Sequence, residues 1–276
     1  MRFNAAAPGA RIFRSIGTRN VFDPARLLQL ELSFCESFTN KAVREYGVLY
    51  FNSLNPQSHD SNHALILNTR VNLDSAIHDV VEFYRSRRIT PRIYPSFISS
   101  ELDLLRPYLA SRGFTVQVYA SVFMRVVDNR PPAVQAGISV RRISRLTDEV
   151  MELVHTDEAG DWTINVLKTH LNDGRFHLLG LFHSGRCASI ASVKIMDGYS
   201  RVDDVKTHVA FRGRHFGTDL MRYLIAYHRA ISSNYLYLWA TNPVAIRMYK
   251  NVGFEVFEFD RPTWSAHIES TSGEKL

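Results

Sequence analysis

Val202-Asp203-Asp204-Val205-Lys206-Thr207-His208-Val209-Ala210-Phe211-Arg212-Gly213-Arg214-His215-Phe216-Gly217-Thr218-Asp219-Leu220-Met221 changes its hydrophobic period halfway along. The residues up to Val209 are rich in β-branched side chains, as a strand prefers. Beyond the turn, Leu220, Leu224 and Tyr227, with Met221, Ile225 and His228, recur at helical spacing. Between the two patterns, Arg212, Gly213, Arg214, His215, Phe216, Gly217 and Thr218 put small and cationic residues where the first free N–H groups of the helix emerge. Strand, basic turn and helix start together make an anion site. Free amides and the positive end of the helix dipole favour phosphate, and the two glycines let the backbone come close. Taken alone, the same pattern also serves as an ordinary strand-to-helix connection.

Further along, Leu236-Tyr237-Leu238-Trp239-Ala240 reads as a short strand, and Asn242-Pro243-Val244-Ala245-Ile246-Arg247-Met248-Tyr249-Lys250-Asn251-Val252-Gly253-Phe254 follows it. At these two places the chain resembles the GNAT superfamily of acyl-CoA-dependent N-acetyltransferases. The family's pyrophosphate loop, R/Q-x-x-G-x-G/A, is similar to Arg212 through Gly217. Its N-x-x-A-x-x-x-Y-x-x-x-G-F element is matched from Asn242 to Phe254 at every lettered position. His215 departs from the pattern, standing where the family usually has its first glycine. The resemblance implies acetyl-CoA as acyl donor, held by Val205, Lys206 and Thr207 at the strand end, by the loop from Arg212 to Thr218, and by Asn242 and Ala245. It also implies a primary amine, small or on a protein, as acceptor, and Tyr249 as general acid.

The order of elements recurs. Ser111-Arg112-Gly113-Phe114 and Asn251-Val252-Gly253-Phe254 each close a helix preceded by a short strand and followed by a terminal strand. A tandem duplication follows: an α/β (α+β mixed sheet) chain of two GNAT-like domains, residues 1–130 and 137–276, each a mostly antiparallel sheet flanked by helices, joined by a Pro-rich linker after Asp128. The first half lacks the chemistry, with Asn68-Thr69-Arg70-Val71-Asn72 in place of the Arg/Gly turn and Leu109 in place of Tyr249. A structural or substrate-gating role is expected for it. Within it, Val21 to Asn40 reads as a helix, Val48–Phe51 and Ala64–Leu67 as strands, and Thr115 to Val127 as an extended strand or hairpin. His59-Asp60-Ser61-Asn62-His63 reads as a polar turn rather than a metal pair, since no third ligand spacing accompanies it.

Acetylating an amine requires a neutral nitrogen and a proton for the departing thiolate. Neutralising a lysine-like amine of pKa near 10.4 costs roughly 4 to 5 kcal/mol at pH 7, so a base helps. Asp203 and Asp204 are the carboxylates on the central strand. Regular alternation sends them to opposite faces, so at most one serves directly, and resemblance favours Asp203, on a face with Val205 and Thr207. A solvated pair at the sheet rim is the competing reading. The acidic, aromatic Asp157-Glu158-Ala159-Gly160-Asp161-Trp162 borders the acceptor pocket by resemblance, where Asp157, Glu158, Asp161 and Trp162 suit a cationic amine; surface solvation and helix capping compete with that role.

The chain has 276 residues, 45% of them hydrophobic, enough for two cores. Its net charge of +6 and pI near 9.4 invite a nucleic-acid reading. The basic residues are scattered, which argues against one, and a modest positive field also favours an anionic cofactor. No apolar run approaches the roughly 20 residues that span a bilayer. Two cysteines, Cys35 and Cys187, without CxxC or Cys/His spacing, point to a reducing, cytoplasmic setting without structural zinc. The first 24 residues read as a loosely docked terminus or a transit peptide. A CoA sensor without turnover is the alternative function, and oligomeric state is not legible.

Overall fold

The computed structural model describes residues 21–128, 137–155, 160–257 and 263–269. The linker 129–136 and two of the acidic-loop residues, Asp157 and Glu158, lie outside them. The first half runs α1 (Pro24–Ser33), a tighter turn (Phe34–Ser37), β1 (Asn40–Arg44), β2 (Gly47–Phe51), β3 (His63–Ile66), α2 (Leu73–Arg85), β4 (Arg92–Tyr94), α3 (Glu101–Ser111), β5 (Thr115–Tyr119) and β6 (Val122–Val126). The second runs β7 (Ile138–Ile143), α4 (Asp148–Val154), α5 (Gly160–His170), β8 (Phe176–His183), β9 (Arg186–Ile195), β10 (Tyr199–Thr207), α6 (Phe216–Ile231), β11 (Tyr235–Ala240), α7 (Pro243–Asn251), β12 (Phe254–Phe257) and β13 (Thr263–His267).

Local chemistry sets the helix starts. Asp23 accepts from the Ala25 amide ahead of Pro24, Asn72 from Ser75, and Asn242 from Val244 and Ala245 ahead of Pro243. Helix α2 buries Ile77, Val80, Val81 and Tyr84 on one stripe against the first sheet. Pro107 neither stops nor shortens α3, which continues to Ser111 with Leu102, Leu105 and Leu109 buried. The expected helix from Val21 to Asn40 is shorter, because β1 takes its last residue and pairs with β2.

Among the described residues the first sheet has the order β1-β2-β3-β4-β13-β5 and the second β7-β8-β9-β10-β11-β6-β12. Both are mixed and mostly antiparallel, and β8, β9 and β10 form an antiparallel meander. From β8 onward the second order repeats the first, β7 having no counterpart among the described residues, and each sheet holds one exchanged strand. Strand β6, from the first half, lies between β11 and β12, and β13, from the end of the chain, lies between β4 and β5. The segment expected as one strand or hairpin, Thr115 to Val127, therefore splits after Tyr119, its two strands entering different sheets. Alternating apolar residues identify a strand but not its neighbours, so the exchange left no mark in the pattern.

Each exchanged strand is anchored by a large side chain in its host. Trp264 of β13 is buried in the first core, and its indole N–H donates to Glu101 Oε1 at 3.1 Å. Met124 of β6 is buried in the second core with Leu224, Leu238 and Phe254. The opposite faces of the same strands, Phe123 on one and Thr263 and Ser265 on the other, line one cavity between the sheets.

Candidate active site

The site starts from a fault in β10. Asp203 pairs with Ser192 of β9, but the next pairing is Lys206 with Ile190, so Asp204 and Val205 oppose a single residue. Asp204 takes φ 53°, a left-handed value rare for a non-glycine residue. The bulge corrects the expectation from regular alternation. Val205 joins Val202 on the α6 side of the sheet, away from Asp203. Asp204 accepts from Ser192 Oγ at 2.6 Å, and Ser192 stands directly across from Asp203. Both carboxylates thus occupy one face.

A second irregularity lies beside the first. Strands β10 and β11 run parallel but pair only between Tyr199–Arg201 and Tyr235–Tyr237, although they continue to Thr207 and Ala240. The edge of β10 beyond Arg201 is left open toward β11. An open strand edge of this kind suits an extended ligand bearing amides.

Each face of the slot carries different chemistry. On the α6 side Tyr249 is buried beside Phe254, ring centroids 5.9 Å apart, and its hydroxyl makes no hydrogen bond among the described residues. Burial, then Asp203, pushes its pKa well above the phenol range, so it keeps its proton. On the other side Asp203 accepts from Arg201 at 2.9 Å and from the Asp204 amide at 3.0 Å. Asp204 is pushed up to about 7 by burial and by Asp203, against the pull of Ser192. Arg201 also meets Glu31 of α1 at 3.0 Å, and Glu31 accepts from Tyr237 at 2.5 Å. This network ties α1 to the wall of the slot.

The Arg/Gly turn lies at the open end of β10. The amides of Phe216, Gly217 and Thr218 precede the first turn bond of α6, which runs from Asp219 to the His215 carbonyl at 2.9 Å, and no side chain caps them. A Cβ at Gly217 would come 2.9 Å from Thr207 Oγ1, so glycine lets the helix start lie against the strand end. His215 precedes the helix at φ 63° and Gly213 lies at φ 77°. Arg212, Arg214 and His215 are exposed around these amides, with Arg212 Nε held on the Thr207 carbonyl at 3.3 Å. Lys206 turns away and donates to the Val154 carbonyl at the end of α4, at 2.6 Å. Asn242 uses its side-chain oxygen as the cap of α7, and Ala245 packs on the second core.

The cavity between the sheets has a volume of about 340 Å³. Its wall includes Arg201, Glu31, Phe123 and Trp239 from the side of the slot, and Asp60, His63, Tyr94 and Trp264 from the first sheet. Asp60 faces the cavity's solvent, yet protein encloses it widely enough that burial, then Asp203, pushes its pKa up to about 6 against Arg201 and Arg92. The polar turn read at residues 59–63 is held by Ser58, Ser61 and Asn62, whose side chains bond one another and the backbone. Its product is the placement of Asp60. Of the acidic-loop residues that are described, Asp161 is exposed and meets His155 at 3.1 Å, while Trp162 stacks on His59 at 5.6 Å. Trp162 thus touches the first half.

Arg201, Glu31 and Asp60 were not singled out from the sequence. Arg201 was within reach, two residues before Asp203 on one strand face. Glu31 and Asp60 arrive from more than a hundred residues away, and no local pattern marks them. Among the described residues no group of three or more His, Cys, Asp or Glu could hold a metal ion, and no helix is long and apolar enough to cross a membrane.

Residues 143–254 match the acetyltransferase (GNAT) family. Among solved structures the chain is similar to a GCN5-related N-acetyltransferase from Kribbella flavida, with TM-score 0.62, 14% identity and coverage of 93% of this chain and 98% of that one. A GCN5-related N-acetyltransferase-like protein from Streptococcus suis gives TM-score 0.54 at 12% identity over 89% and 99% of the two chains. A tandem GNAT protein from the clavulanic acid biosynthesis pathway gives TM-score 0.51 at 18% identity over 71% and 70%. At such identities the likeness shows the fold. No curated protein matches the chain in sequence.

Proposed function

We propose that this chain, whose second half belongs to the GNAT acetyltransferase family, transfers an acetyl group from acetyl-CoA to a primary amine. One observation carries the reading. The slot between β10 and β11 has a buried phenol on one face and two adjacent carboxylates on the other, and it ends at three free helix amides.

The residues present fit acetyl-CoA. Phe216, Gly217 and Thr218 would hold its pyrophosphate, Arg212 and Arg214 would balance the charge, and the open edge of β10 would take its amide-bearing arm. When bound, it supplies an acyl carbon on a good leaving group. The remaining work falls to side chains of this chain. Asp204 accepts the ammonium proton, since a pKa of about 7 matches the working pH. Asp203, engaged by Arg201 and the Asp204 amide, keeps its neighbour's proton affinity high, which reverses the preference for Asp203 read from the sequence. Tyr249 holds the proton destined for sulfur. In balance, the acetyl carbon exchanges its bond to sulfur for one to nitrogen, and the ammonium releases two protons, one to the thiol and one to solvent. His215, the departure from the family's loop, adopts the left-handed backbone that a glycine would supply. Free, buried Cys35 and Cys187 support a cytoplasmic setting.

A thiol-release assay with acetyl-CoA against small amines and peptide amines tests the proposal. Thiol should appear one-for-one with acetylated amine and only when amine is present. Donor binding without thiol release on any amine would make the protein a CoA sensor.

A further inference from the structure

We propose that the cavity between the two sheets is the acceptor site, and that it takes a small primary ammonium ion with a flat apolar body, anchored by Asp60 of the first half. The role as acceptor site rests on the acetyl-transfer reading; the binding does not.

The walls give the body. Phe123 and Trp239 on one side and Tyr94 on the other surround a volume of about 340 Å³, within the usual range for small-molecule sites. Both exchanged strands contribute to these walls, so the site exists only where the halves are joined. A pocket between two sheets admits a free small molecule more readily than a lysine on a folded surface.

The charges give the head group. Arg201, the one lysine or arginine among the described lining residues, is paired with Glu31 and Asp203. Asp60 makes no hydrogen bond or ion pair with the described residues, and its carboxylate opens onto the cavity. Without a ligand, its neighbour Asp203 and its enclosure disfavour its charge; an ammonium would restore it. Aromatic faces next to a carboxylate are also a suitable seat for a cation.

His63 lies in the same wall, 6% exposed and stacked on Tyr94 with centroids 4.4 Å apart, and adds a further flat face to the seat.

The test uses the full chain without acetyl-CoA, reading tryptophan fluorescence, to which Trp239 in the wall contributes, and confirming by calorimetry. The probes are 2-phenylethylamine, the neutral 2-phenylethanol, ethylamine and a lysine-containing pentapeptide. 2-Phenylethylamine should bind about tenfold or more tightly than each of the others, as expected for one charge-assisted pair added to apolar contact. Asp60→Asn, with a melting temperature no lower than that of wild type, should lose about tenfold for the amine and nothing for the alcohol. No binding of 2-phenylethylamine, equal binding of the alcohol, tighter binding of the peptide, or an unaffected Asp60→Asn variant would each overturn the site; the comparisons on the wild-type chain do not depend on the variant. The two readings fail separately. Amine binding without thiol release on any amine removes acetyl transfer and leaves the site, whereas acetylation of 2-phenylethylamine with an unchanged amine KM in Asp60→Asn removes the site and leaves acetyl transfer.

Discussion

In the proposed reaction Tyr249 and Asp204 do opposite things with one proton each, and each role can be tested by removing little more than an atom. Tyr249→Phe keeps the ring that packs on Phe254, so donor affinity and stability should hold. Single-turnover acetylation should fall by roughly 10²- to 10⁴-fold, because only the proton donor is lost. An unchanged single-turnover rate would reduce the tyrosine to a packing residue. Asp204 has a stability signature as well. Its pKa rises in the fold from 3.8 to about 7, through burial and then Asp203. A carboxyl raised in this way favours the fold while protonated, so its contribution is whole below about pH 4 and is lost as pH rises through about 7. Asp204→Asn should therefore melt higher than wild type at pH 8 and converge with it near pH 4, while acetylation falls at pH 8. Equal melting temperatures at pH 8 would show that the carboxyl is not perturbed. Asp60, raised to about 6, keeps its own smaller share of the pH dependence in that variant.

At the scale of elements, the turn before α6 gives the sharpest test of donor binding. Gly217→Glu adds a Cβ 2.9 Å from Thr207 Oγ1 and a negative charge among amides meant for phosphate. Calorimetry should show CoA affinity reduced by about tenfold or more, with the melting temperature as a control for packing. Retained affinity would remove the turn from the site. The turn and α7 were legible because their causes are local. Arg212 to Gly217 and the Asn242 cap are decided within a few residues of chain, and the structure puts a helix start after each. The bulge at Asp204 was not legible. Two adjacent aspartates in a strand-rich stretch read as alternating, and the φ of 53° that unites them depends on how β9 meets β10.

Across the whole molecule, the duplication could be read because each half repeats its own short-range punctuation, Gly113-Phe114 and Gly253-Phe254, after equivalent helices. The exchange of β6 and β13 could not. Strand pairing between residues more than a hundred positions apart leaves no local trace, and the same holds for Asp60 reaching the cavity. The fragment 137–276 alone leaves β11 and β12 without the strand between them and exposes the core around Leu238 and Phe254. It should be insoluble or lack cooperative melting, while addition of residues 115–128 at its N-terminus should improve both. A soluble, cooperatively melting 137–276 fragment would show that the second sheet closes without β6. On the ribosome, the same exchange orders events in time. Strand β13 follows every other described strand in the chain, so during synthesis β4 and β5 must wait with open edges until the strands of the second sheet have been made, and the sheet begun first is the sheet completed last.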